Sequence, residues 1–121
     1  MKQKSIFYIL VFGLFSFNVQ AQNVKWTVEL DSAVIFSSPR FTDLNQDGIE
    51  DVIIGAGNEG HRISNGIAAI DGNSGQILWK VQSETQIYTS ALFQDIDGDG
   101  IQDVFIAGRN ASLYAINGKT G

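Results

Sequence analysis

FTDLNQDGIEDVIIGAG, Phe41 to Gly57, and FQDIDGDGIQDVFIAGR, Phe93 to Arg109, lie 52 residues apart and align without a gap, with eight of 17 positions identical. Each copy is an acidic, glycine-bearing loop that runs straight into an apolar segment, so the chain repeats a structural unit as well as a short motif. Working outward, AIDGNSG (Ala69 to Gly75) returns as AINGKTG (Ala115 to Gly121) at an offset of 46. The first copy therefore carries about six extra residues within NEGHRISNG, whose composition is that of a surface-loop insertion. Upstream, WTVEL (Trp26 to Leu30) resembles WKVQS (Trp79 to Ser83).

The local patterns are β throughout. WTVEL alternates, and Val34 to Phe36, DVIIGA, GIAAID, ILWKV, IYTSALF, DVFIAG and SLYAI are short β-rich runs separated by clusters of Gly, Asn, Asp and Ser. Such runs read as strands joined by tight turns. Four short strands per repeat of about 50 residues is the pattern of a propeller blade. The expected fold is all-β: a β-propeller segment of about two four-stranded blades from a seven- or eight-bladed parent. Residues 22–32 are expected to form the outer strand of a closing blade, 33–83 the first blade and 84–121 an incomplete second one. The second copy stops at Gly121, where the first continues into its Trp-bearing strand. This reads as the N-terminal piece of a longer protein. Its rival is a self-assembling ring in which each copy's Trp26 strand completes a neighbour's last blade.

Lys2 and Lys4 precede the apolar run Ile6 to Phe15, which is too short to span a bilayer and leads to small residues at Val19 and Ala21. That is the layout of a secretory signal peptide, residues 1–21, cleaved after Ala21. A secreted or extracytoplasmic location follows, in the periplasm, on the outer surface or outside the cell, with no membrane span after removal. Loss of the two lysines moves the formal net charge from −5 to −7. An acidic balance of this size argues against a nucleic-acid or anionic-membrane partner. With no cysteine, the chain has to hold itself together by packing, without disulfides, and a lipid anchor attached through cysteine is excluded.

Asp43, Asn45, Asp47, Gly48, Ile49 and Asp51 occupy loop positions 1, 3, 5, 6, 7 and 9; Asp95, Asp97, Asp99, Gly100, Ile101 and Asp103 repeat them. Carboxylates gathered so closely repel one another unless a cation sits among them. Oxygens at positions 1, 3 and 5 converge when the backbone curls, glycine at 6 permits the bend, and position 7 offers its carbonyl. The aspartate at 9 is expected to close the shell. An EF-hand would need glutamate at position 12, and those positions are Ile54 and Ile106. Calcium suits an all-oxygen donor set in tolerant geometry, whereas zinc favours nitrogen and sulfur. Two Ca2+ sites are expected, the first weaker because Asn45 removes one charge. The alternative is a pair of solvated Asp-Gly turns.

These loops with their flanking strands resemble the FG-GAP/VCBS repeats of integrin alpha-chain-type propellers, and AIDGNSGQILW (Ala69 to Trp79) resembles the turn of quinoprotein-like (PQQ-like) blades. The resemblance covers nearly all of Trp26 to Gly121. It implies an extracytoplasmic propeller whose calcium ions are structural, held by Asp43, Asn45, Asp47, the Ile49 carbonyl and Asp51, and by Asp95, Asp97, Asp99, the Ile101 carbonyl and Asp103. The chain departs from the family in Phe41-Thr42 and Phe93-Gln94, which lack the naming glycine, and in Gly55-Ala56-Gly57, which lacks the proline. The implied role is an interaction or adhesion scaffold for a protein or carbohydrate ligand, completed by the remaining blades of a parent chain or by other copies. The second class of function is the N-terminal part of a quinoprotein-like dehydrogenase or of a propeller-bearing carbohydrate-active enzyme.

Several tempting signals lead elsewhere. GAGNEG, Gly55 to Gly60, satisfies the dinucleotide-binding spacing but is followed by turn residues and a strand in place of the required helix. Ser74 lacks the strand-elbow-helix setting of a hydrolase nucleophile. His61 and Arg62 fall in the inserted loop, a place where partners are often contacted. Trp26 and Trp79, like Phe41 and Phe93, repeat in register, which blade packing explains and carbohydrate stacking also can. Asn110-Ala111-Ser112 is formally a glycosylation acceptor.

Overall fold

The computed structural model describes residues 23–30, 33–58 and 63–121. Residues 1–21, read from the sequence as a signal peptide, and the pair His61–Arg62 lie outside them. The described chain is all-β with no α-helix, one 3-10 turn at Arg109–Ala111, and two antiparallel sheets. The first sheet comprises β1 (Val34–Ile35), β2 (Arg40–Thr42), β3 (Asp51–Gly57), β4 (Ile63–Ile70) and β5 (Ile77–Ser83). β1 and β2 pair with opposite ends of the same edge of β3, so the sheet is a four-deep meander whose first strand is interrupted. The second sheet comprises β6 (Leu92–Gln94), β7 (Asp103–Ala107) and β8 (Leu113–Ile116).

The register repeats residue for residue. Phe41 opposite Val52 becomes Phe93 opposite Val104, Ile53 opposite Ala69 becomes Phe105 opposite Ala115, and Ile35 opposite Ala56 becomes Ile87 opposite Gly108. A slip of one residue would turn every apolar side chain to the other face, so shared register means shared faces. The interruption repeats too. Ser37 accepts the Gly55 N–H on its hydroxyl at 2.6 Å. Thr89 accepts the Ala107 N–H and donates to the Ala107 carbonyl, both at 2.9 Å. A hydroxyl standing in for a ladder partner is why IYTSALF is no continuous strand. β6 begins only at Leu92, with Ile87 in an isolated bridge.

The sheets stack head to tail. One face of the first, carrying Ile53, Ile67, Ala69 and Trp79, packs with Ile87, Val104, Ile106 and Ile116 of the second. Those second-sheet residues correspond to the opposite face of the first sheet, where Ile54, Ala56, Ala68 and Ile70 are covered by Trp26, Val28 and Leu30. A bulge at Leu78 lets β5 serve both layers, with Ile77 on one face and Trp79 on the other. Gly55 and Gly57 have their own role here. A Cβ on Gly55 would collide with Ile87, and one on Gly57 with Gln86, where the Ile87 N–H bonds the Ala56 carbonyl at 3.1 Å. Their spacing serves close packing within a strand, and no helix opens there to cradle a phosphate.

Residues 23–30, expected as an outer strand, run beside the first sheet. They belong to no ladder, although Trp26, Val28 and Leu30 alternate inward as in an extended strand.

Candidate metal centre

Each acidic loop lies in the connection after β2 or β6 and before β3 or β7. Glycine at loop position 6 is required by the backbone: Gly48 has φ +85° and Gly100 φ +87°. Position 4 is also left-handed in both copies, with Gln46 at φ 60° and Gly98 at φ 77°. These two reversals wind the chain into a coil whose side chains turn inward.

Hydrogen bonds fix the coil. Asp43 accepts the Gly48 N–H at 2.9 Å, Asn45 the Asp47 N–H at 3.0 Å, and Asp47 the Ile49 N–H at 2.8 Å. In the second copy Asp95 accepts the Gly100 N–H at 3.0 Å, Asp97 the Asp99 N–H at 3.1 Å, and Asp99 the Ile101 N–H at 2.9 Å. Ligand oxygens of Asp95, Asp97 and Asp99 all lie within 4.8 Å of one another. Two oxygens bound to one calcium ion at about 2.4 Å each are separated by at most about 4.8 Å, so this cluster can hold a metal ion of that size. The first copy brings Asp43, Asn45 and Asp47 into the same winding with two carboxylates and an amide. Ile101 is buried in the core between the sheets, whereas its counterpart Ile49 is exposed.

The aspartates at position 9 sit underneath. Asp51 is fully buried; its two carboxylate oxygens accept the Leu44 N–H at 2.8 Å and the Gly72 N–H at 3.0 Å. Asp103 does the same with Ile96 and Gly118, both at 3.0 Å. Each clasps its own loop to the turn that follows β4 or β8. Gly72 and Gly118 make that approach possible, since a Cβ there would overlap the Glu50 or Gln102 carbonyl.

That turn contributes a residue which the loop spacing does not reveal. Asp71 Oδ2 accepts a hydrogen bond from the Asn45 amide at 2.6 Å, and Asp97 Oδ2 accepts one from the Asn117 amide at 3.0 Å. The copies have exchanged partners: amide in the loop and carboxylate in the turn, then the reverse. The charge missing at Asn45 reappears at Asp71, 26 residues later. Aligning the copies over both segments exposes the exchange, because Asn45 faces Asp97 and Asp71 faces Asn117 in the same comparison. Hydrogen bonds from the Ser74 backbone and hydroxyl hold the Asp71 carboxyl below the ordinary carboxylate range. Ser74 is thus a turn residue, its hydroxyl donating to Asp71 Oδ1 at 2.8 Å.

The tryptophans complete the setting. The Trp79 indole donates to the Gly118 carbonyl at 2.7 Å and the Trp26 indole to the Gly72 carbonyl at 3.1 Å. Each ring lies against a left-handed glycine of the turn, Gly121 for Trp79 and Gly75 for Trp26. Both rings are committed to packing between layers. No protein-family model matches the chain, nor does any curated protein or solved structure.

Proposed function

We propose that this chain is a secreted, calcium-binding β-propeller segment of FG-GAP/VCBS type with PQQ-like blade features, serving as an interaction scaffold without catalysis of its own. The observation that carries the reading is the acidic coil folded twice with the same hydrogen bonds at positions 1, 3 and 5, the three carboxylates of the second coil gathered within 4.8 Å of one another. Asp43, Asn45 and Asp47 would hold the first ion; Asp95, Asp97 and Asp99 the second. The Ile49 and Ile101 carbonyls are the expected further oxygens. Asp51 and Asp103 support the coil through hydrogen bonds and retain spare lone pairs, so they serve as ligands and clasps together.

Bound calcium supplies charge neutralisation and a cross-link between loop oxygens. Because the folded coil binds it preferentially, free calcium stabilises the chain by mass action. The second site, with three carboxylates in the coil, is the tighter one. Titration calorimetry tests the ligand set. The chain should take up two ions with affinity in the range of about 10⁻⁴ to 10⁻³ M of extracellular modules. Replacing Asp95 and Asp99 by alanine should leave one. Unchanged stoichiometry would reject the assignment.

A further inference from the structure

The two acidic coils lie against each other across the core between the sheets. Position 2 of the first coil is Leu44, set between Asp43 and Asn45 and only 3% exposed. Its side chain leaves the coil and joins the cluster that also holds Ile101, position 7 of the second coil. A Cβ on Gly118 would stand 3.1 Å from Leu44 Cδ2, so the leucine rests on the turn that Asp103 clasps. Beside it, the amide nitrogen of Gln46, position 4 of the first coil, is 3.9 Å from where a Cβ of Gly100 would stand, position 6 of the second. A groove of about 260 Å³ lined by Asn45, Gln46, Ile101 and Lys119 marks the seam.

Each end of this contact is tied to its own coil. The Leu44 N–H bonds Asp51 Oδ2 at 2.8 Å, so the side chain moves with the clasp of the first coil. Across the seam the Gly118 N–H bonds Asp103 Oδ1 at 3.0 Å, the Gly118 carbonyl accepts the Trp79 indole at 2.7 Å, and the Ile101 N–H bonds Asp99 at 2.9 Å. A close-packed contact transmits displacement instead of absorbing it. A change in curvature at Asp43 to Asn45 therefore reaches Ile101 through one buried side chain.

We infer that the two coils form one cooperative unit: a cation that orders either coil raises the affinity of the other, and Leu44 is the positioning residue that carries the effect. The inference rests on the metal reading and adds to it the coupling between the sites. When one ion has ordered the shared contact, the second binds to a chain with less freedom left to lose. Repulsion between the two ions opposes this. Asp47, Asp97 and Asp99 are exposed, however, so salt screens the repulsion, with a Debye length of about 8 Å at 0.15 M and about 3 Å at 1 M. Packing through Leu44 is indifferent to salt. The coupling should persist or grow as salt is added.

Calorimetric titration with calcium chloride in 0.15 M and 1 M sodium chloride tests it on three chains. These are the parent, an Asp43→Ala/Asp47→Ala chain that keeps only the second site, and an Asp95→Ala/Asp99→Ala chain that keeps only the first. For independent sites, the overall association constant for loading both ions equals the product of the two single-site constants. Coupling should make the parent's constant at 1 M salt exceed that product by at least about fivefold. Leu44→Ala in all three backgrounds should bring the ratio to about one, and Leu44→Met, which restores the volume, should recover it. Circular dichroism checks that each chain stays folded. The parent ratio needs no core substitution, so it decides the inference even if Leu44→Ala unfolds. Two ions bound with a ratio of about one overturns the coupling and leaves the metal reading standing. No ion bound by the parent overturns both, and a raised ratio that a folded Leu44→Ala chain retains denies Leu44 its role.

Discussion

Asp103→Ala should destabilise the chain even when no calcium is present. The side chain is buried, and its two oxygens accept the Ile96 and Gly118 N–H groups at 3.0 Å each. Alanine leaves both donors without partners, in a place where Gly118 is itself buried. An orphaned buried donor costs about 1–3 kcal/mol, so the pair sums to about 2–6 kcal/mol, with the lower half expected where water reaches one of them. A chain of this size has a total stability of about 5–15 kcal/mol, so the loss is a large share of the whole. Urea unfolding followed by tryptophan fluorescence in EDTA measures it, with Asp99→Ala as the comparison. Asp99 is exposed and belongs to the coil, so its replacement should matter chiefly in calcium, where a hundredfold excess over Kd contributes about 2.7 kcal/mol. If Asp103→Ala costs less than about 0.5 kcal/mol in EDTA, within the range of an inert surface change, the clasp has been misread.

Two further outcomes follow from the paired copies. Asn117→Asp sets a second carboxylate against Asp97 and should destabilise the second coil in EDTA; adding Asp97→Asn rebuilds the arrangement of the first copy and should recover the loss. A double-mutant cycle by thermal unfolding should give a coupling of at least about 0.5 kcal/mol, and additive effects would deny the exchange. Gly118→Ala forces a Cβ into the Gln102 carbonyl and should cost about 1–3 kcal/mol or more. Gly98→Gln should be far milder despite the left-handed backbone, because Gln46 already occupies that conformation in the first copy and a Cβ at Gly98 meets nothing.

Much of this architecture can be read in the sequence because burial imposes its period on it. DVIIGA and ILWKV fall within β3 and β5, and DVFIAG spans β7 and the bridging Gly108, since each carries apolar residues to faces that are covered. The interrupted first strand is harder to see. Ser37 and Thr89 replace a ladder bond with a hydroxyl, and nothing in their spacing distinguishes that from an ordinary strand residue. At the centre, positions 1, 3 and 5 are legible because local chain curvature alone brings them together. Asp51 and Asp103 carry the right spacing for a ligand, yet their clasp on Gly72 and Gly118 spans 21 and 15 residues. Asp71 and Asn117 are remoter still, and only the comparison of one copy with the other ties them to the loops.

The most direct measurement is a crystal structure grown in calcium, with anomalous scattering to locate the ions. The account predicts one peak inside each coil, among Asp43, Asn45 and Asp47 in the first and Asp95, Asp97 and Asp99 in the second. Both coils well ordered, with their aspartates turned to water and no peak in either, would contradict it.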